Sequence, residues 1–505
     1  MQIERELAFI VAPVERKKIR VFWKSQKKLV EGLYLGLRKG TVKDEISASI
    51  AVFGAPDRSV RFRSYRSRFR ERMLNTLFFL EPNPERNGEY VVEIYRLHRY
   101  LFLVQTLAMF GGRSTAVWLA KKSLKLARSS QHTVGEIQLL DFLRRHFALT
   151  GKARLHDKYS ELVNRKMALL HAEQLTSTMN QSLRMEYVRT GVPRVSLVEK
   201  TAEYYDIAKQ LADKHRTYSV VLESIRIGIL YNQVIGENQE TLKLCNEAEG
   251  YFKAHPKLTP AARYGELELQ RLESYLYLRD YEQGSIAAQR CEGYFVVGRN
   301  NWFVYMEYYF LLAMHTLRFE RATEIFEQVT SHPRFSVQQE PIREKWHVFE
   351  LCLNYANRVD RPEKVKGRAI DVDNLLGTVP IYSKDKQGYN VPILVMHILL
   401  LLERGDLDAI MQRMEALKSY RSRYLRAKTN RHSALFFKLL TIMEMSGFDY
   451  EKIKRKGAKY YEQLQTSPSA YTEVHEGVQI LSYAWLWERV LERLEHMNAT
   501  VVIAR

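Results

Sequence analysis

Three cysteines in 505 residues, none in a Cys-x-x-Cys pair, leave no disulfide framework and no cysteine-based zinc finger. The 13 prolines are few for this length, so little in the chain forces a helix to stop. Long apolar runs are scarce as well. The longest, residues 391–402, contains Pro392 and His397 and is shorter than the ~20 residues a spanning helix needs, so it reads as a buried core helix. The amino terminus, Met1-Gln2-Ile3-Glu4-Arg5-Glu6, lacks the basic region of a secretory signal. Free thiols without such a signal lead to the expectation of a cytoplasmic protein with no membrane partner. With 46% hydrophobic and 27% charged residues, wholesale disorder is also excluded.

What is present is helical periodicity. Ala116, Leu119, Ala120, Ser123, Leu124 and Ala127 form an apolar stripe at i, i+3, i+4, i+7, i+8 and i+11. Leu244, Cys245, Ala248, Tyr251 and Phe252 repeat the pattern, as do Ala322, Ile325, Phe326 and Val329. Ile19, Phe22, Trp23, Val30, Leu33, Tyr34 and Leu37 do so near the amino terminus. Strict alternation, the mark of a half-buried strand, is found over no useful length.

Turn-like clusters separate the stripes, beginning near Gly111, Gly151, Gly191, Gly236, Arg279, Arg318, Arg358, Gly405 and Gly447, 39 to 47 residues apart. Gly405-Asp406-Leu407-Asp408-Ala409, Arg279-Asp280-Tyr281-Glu282 and Gly447-Phe448-Asp449-Tyr450-Glu451 share one form. In residues 306–333, Ala313, Phe319, Ala322, Phe326 and Pro333 resemble the pattern of a tetratricopeptide hairpin, in which small residues let two helices approach closely. The expectation is an all-α fold, a right-handed superhelix of stacked antiparallel helical hairpins with a repeat of about 42 residues. Residues 1–88 form a basic helical region ending in the breaker cluster Pro82-Asn83-Pro84, and 89–360 a hairpin array. Residues 361–392 form an irregular insertion or connection, and 393–505 hold further hairpins with a capping helix.

A resemblance attaches to the last quarter. Val379-Pro380-Ile381-Tyr382-Ser383-Lys384-Asp385-Lys386-Gln387-Gly388-Tyr389 is one such segment, and Glu415-Ala416-Leu417-Lys418-Ser419-Tyr420 another. With Tyr483-Ala484-Trp485-Leu486-Trp487-Glu488, they resemble segments of a group of uncharacterised bacterial proteins of about 500 residues with tetratricopeptide-like repeats. The resemblance implies that fold and, by analogy with such repeats, binding of a protein or peptide; it implies no chemistry.

Motifs for catalysis are missing. There is no Gly-x-x-x-x-Gly-Lys-Ser/Thr loop, no Gly-x-Gly-x-x-Gly after a strand and no His-Glu-x-x-His. Gly111-Gly112-Arg113-Ser114-Thr115 reads as a hairpin turn capped by Ser114 or Thr115. Cys245, Cys291 and Cys352 sit on apolar helix faces and read as core. Asp371 and Asp373 resemble half of a carboxylate pair, but Asp373 or Asn374 reads rather as the cap of a following helix. No catalytic residue, metal site or cofactor is expected.

Charge is the remaining signal. Of the net +20, residues 1–80 carry 18 basic and 8 acidic side chains, and residues 418–460 carry 12 and 3. The rest of the chain is nearly neutral. The first segment offers an anion patch of Arg61, Arg63, Arg66, Arg68, Arg70 and Arg72 around the stripe Phe62, Tyr65, Phe69, Met73 and Leu77. The second offers a partner-binding patch of Arg421, Arg423, Arg426, Lys428 and Arg431, with Lys384 and Lys386 of the insertion beside it. The leading expectation is a non-enzymatic scaffold or adaptor that binds an acidic protein or peptide through a concave groove. The alternative is a regulator that binds nucleic acid through the two basic segments.

Overall fold

The apolar spacing closes into helices throughout the computed structural model, which describes residues 3, 4, 7, 8, 27–57, 59–190, 195–360, 390–424, 431–466 and 479–503. Among these residues every regular element is a helix. The chain divides into two compact units, residues 1–170 and 171–505.

The first unit holds α1 (Lys27–Lys39), α2 (Glu45–Phe53), α3 (Val60–Leu77), the single turn α4 (Pro84–Asn87), α5 (Glu89–Met109), α6 (Arg113–Ser129), α7 (Thr133–Leu149) and the start of α8 (Ala153–Thr190). Asp44 opens α2 with a capping box, accepting from the Ser47 amide at 2.8 Å, and Ser59 caps α3 from the Arg61 amide. The α3 stripe is buried as its spacing requires: Phe62, Tyr65, Phe69 and Met73 join Leu33, Leu37 and Val52 in one core. A second core gathers Leu97 and Leu101 of α5, Ala120 and Leu124 of α6, and Leu139, Leu140 and Leu143 of α7.

The second unit continues through α9 (Val195–His215), α10 (Tyr218–Ile235), α11 (Asn238–Ala254), α12 (Ala261–Leu278), α13 (Tyr281–Tyr294), α14 (Asn300–His315), α15 (Phe319–Thr330) and α16 (Glu340–Asp360). It ends with α17 (Asn390–Arg404), α18 (Leu407–Tyr424), α19 (Arg431–Met445), α20 (Tyr450–Thr466) and α21 (Tyr483–Ile503). From α9 to α16 each helix packs on the next, and α12 also packs on α14, the neighbour relation of stacked hairpins. Close approach has a visible cause at Gly228, where a Cβ would lie 2.6 Å from the Tyr205 ring and 2.8 Å from Leu244. The shared turn form is explained too. Arg279, Gly405 and Phe448 take positive φ, and the next residues, Asp280, Asp406 and Asp449, cap the following helix through its backbone amides.

The core of this unit centres on α14, in which Trp302, Phe303, Tyr305, Met306, Tyr309 and every residue from Phe310 to His315 are buried. Phe310 stacks on Phe349 at 4.8 Å, and Phe319 lies 5.4 Å from Trp485 of α21. The run at 391–402 is the buried helix its composition implied, with Pro392 in the first turn of α17, where a missing N–H costs nothing.

Two expectations are corrected. Residues 153–190 form one 38-residue helix in place of a hairpin, because no Gly or Pro interrupts them. At the start of α6 neither Ser114 nor Thr115 supplies the cap: Gly112 occupies that position without a side-chain bond. Gly191, the Ile19–Trp23 stretch, Asp371, Asp373 and Asn374 lie outside the described residues, as does the insertion up to residue 389.

Candidate partner-binding surfaces

The arginines of α3 divide by what their neighbours demand. Arg66 and Arg70 both donate to the buried Glu4 carboxylate, and Arg66 also reaches Glu45. Burial pushes the Glu4 carboxyl up, but hydrogen bonds to the charged form, from Arg66 foremost and with Arg70 among the others, outweigh it and hold the group down at about 2. Arg61 lies over the Phe53 ring, 4.6 Å from its centroid. Arg63 and Arg68 face solvent, and Arg68 donates to the Ser64 carbonyl. The six residues share a helix, but two hold the amino terminus in place and one covers an aromatic ring.

The carboxyl-terminal patch is only partly described. Lys384, Lys386, Arg426 and Lys428 lie outside the described residues. Arg421 and Arg423 fall in the last turn of α18, and Arg431 opens α19. Nearby, Lys418 is tied to Glu444 at 2.6 Å and Lys452 to Asp449 at 3.2 Å. Arg455, Lys456 and Lys459 stand exposed on α20 and form no ion pair among the described residues.

Much of the charge elsewhere in the second unit is structural. A polar ladder crosses alternate helices: Asn180 of α8 donates to Glu223 of α10, and Arg226 grips Glu266 of α12 with two bonds of 2.8 and 2.9 Å. Gln233 donates to Gln270 and Glu273, Tyr308 of α14 donates to Glu273, and Lys345 of α16 pairs with Glu307. These bonds satisfy groups that burial would otherwise penalise.

An apolar groove of about 570 Å³ opens in the first unit between α3 and α5, lined by Leu74, Leu77, Phe78, Tyr95, His98, Arg99, Phe102 and Leu103. Tyr95 donates to the Leu77 carbonyl at 2.8 Å, which fastens α5 to the end of α3, and Phe78 and Phe102 lie 5.5 Å apart. Both rings stay open to water, Phe78 at 54% and Phe102 at 52%, and the apolar surface continues to Met109 and Phe110 at 80% and 84%. Contiguous exposed apolar surface of this kind marks interaction sites. The sequence did carry its signal: α5 buries Leu97, Leu101 and Val104 and packs Tyr100 and Leu107 against the same core, which leaves Phe102, Leu103 and Met109 in surplus.

Chemistry is sparse by comparison. Among the described residues no His, Cys, Asp and Glu cluster could hold a metal, and no helix is long and apolar enough to cross a membrane. Burial pushes the Cys245 and Cys291 thiols up to about 12 and Cys352 higher still. None of the three is therefore expected to react with a thiol reagent in the native protein within minutes, whereas all three should react in denaturant. Rapid native labelling of any one would contradict its burial.

The fold and these surfaces define a helical-array protein with an open apolar groove. Comparison with protein-family models, with curated proteins and with solved structures gives no match.

Proposed function

We propose that this protein is a non-enzymatic, cytoplasmic helical-repeat scaffold that binds a protein or peptide partner. The observation that carries the reading is the α3–α5 groove, where Phe78, Phe102 and Leu103 remain exposed although the adjoining cores are complete. A right-handed superhelix with a repeat of about 42 residues suits such a role, because stacked hairpins rigidly present long surfaces. The three buried free thiols support a reducing compartment. Binding of nucleic acid through α3 is the weaker reading, since Glu4 already occupies Arg66 and Arg70.

The test is a photo-cross-linking residue placed at Leu103 of the full chain in its native host. A single discrete protein adduct is expected, and the recombinant form of that protein should co-sediment with the unmodified chain. Recovery of nucleic acid alone would favour the weaker reading, and no adduct at all would sink the proposal.

A further inference from the structure

Resting on that reading, we propose that the α3–α5 groove receives an amphipathic α-helix of a partner protein, its apolar face on Phe78, Phe102 and Leu103 and a flanking carboxylate on Arg99. The shape favours an elongated occupant. Tyr95, Phe102 and Met109 recur every seven residues along one side of α5, with Leu103 and Phe110 beside them. At 1.5 Å per residue this stripe runs for roughly 20 Å, about four turns of a second helix laid alongside. A small ligand would fill only the end between Leu74 and Phe102. Leu74, Leu77 and Leu103 alternate with the rings of Phe78, Tyr95, His98 and Phe102, an uneven apolar wall into which Leu, Ile or Met side chains of a helix can interdigitate.

Charge complementarity selects the sign of the occupant. The lining holds one guanidinium, Arg99, one imidazole, His98, and no carboxylate. Arg99 is exposed and forms no ion pair among the described residues, and Arg96 stands exposed one turn away on the same side of the helix. Glu81 acts on Tyr95 but is not part of the lining. A cationic helix would meet Arg99 at close range, whereas an acidic one gains a charge-assisted hydrogen bond there.

The experiment uses the full chain and two fluorescein-labelled 18-residue helical peptides. Both carry Leu at i, i+3, i+4 and i+7; one has Glu on the flanking positions, the other Lys. Fluorescence anisotropy should show the Glu peptide binding at least tenfold more tightly than the Lys peptide. Phe102→Asp should weaken the Glu peptide at least tenfold, and Arg99→Glu should reverse the preference. Both sites are exposed, so unchanged thermal melting of the variants will show that they fold. Equal binding of the two peptides, or no effect of Phe102→Asp, overturns the inference. So does a wild-type dimer that Phe102→Asp dissociates, because the occupant would then be a second copy. If the peptides fail while the Leu103 cross-link still yields a reconstitutable partner, this inference falls and the scaffold reading stands.

Discussion

Arg271→Ala is expected to destabilise the second unit by about 3–5 kcal/mol, the usual cost of stranding a buried ionic partner. Arg271 is only 5% exposed. One guanidinium nitrogen donates to Glu268 at 2.5 Å, and another is shared among Glu249 at 2.5 Å, Asn246 at 3.0 Å and the Cys245 carbonyl at 3.3 Å. Glu268 is buried to the same degree, with Arg290 at 3.6 Å its other cation. Alanine removes four bonds and leaves that carboxylate with only the more distant Arg290. The pair need not be stabilising relative to a hydrophobic substitute, however, so Arg271→Met with Glu268→Leu should recover much of the loss. Urea midpoints for Arg271→Ala and for the double variant decide the matter. A loss under about 1 kcal/mol for Arg271→Ala would mean that water reaches the cluster and screens it.

This cluster shows where sequence reading stops. Helical periodicity is a local property, so the stripes on α6, α11 and α15 were legible without knowing what they pack against. Turns were legible where a left-handed residue precedes an aspartate cap, as at Arg279-Asp280 and Gly405-Asp406. The long helix α8 was not legible because Gly151 and Gly191 were joined by spacing rather than by any signal between them. Arg271, in Leu269-Gln270-Arg271-Leu272-Glu273, has the look of a solvated position; only the arrival of α11 and α13 on α12 buries it.

The surfaces divide in the same way. Clusters of basic residues are visible as composition, but whether a given arginine is free depends on carboxylates far away in sequence. Glu4 lies 62 and 66 residues from Arg66 and Arg70, and no local pattern connects them. The α3–α5 groove was partly legible: Leu77 was read as the end of a core stripe, yet it borders the groove, because α3 reaches its last turn where the core of α1 to α3 runs out. Phe102, Met109 and Phe110 had no motif to announce them. Their signal was surplus, more apolar positions on α5 than one core face can use.

Mild acid is expected to destabilise the second unit through its buried histidines, a loss that Glu403, whose carboxyl is raised by burial, opposes only in part. Burial, reinforced by the nearby charges of Arg279 and His432, holds the His315 imidazole down at about 4 from an ordinary 6.5. Its Nε2–H donates to the Gln479 carbonyl at 2.8 Å, a bond that favours the cation but is outweighed. Burial, with Arg413 nearby, likewise lowers His397 to about 4, and neither of its ring nitrogens has a hydrogen-bond partner among the described residues. The native state thus keeps both rings neutral where the unfolded chain would protonate them. Their contribution is full above pH 6.5 and drains away as pH falls towards 4, by up to about 3 kcal/mol for each histidine. Glu266, held below its ordinary range by Arg226 and Arg263 against the opposing effect of burial, adds its own loss only further into acid. Urea midpoints should therefore fall steeply between pH 6.5 and 4.5. His315→Gln, which retains a donor for the Gln479 carbonyl without a titrating ring, should flatten that slope by about half. A midpoint that does not move between pH 7 and 5 would show that the rings find water or a counter-charge when protonated. A slope unchanged in His315→Gln would assign the effect to His397 or to another group.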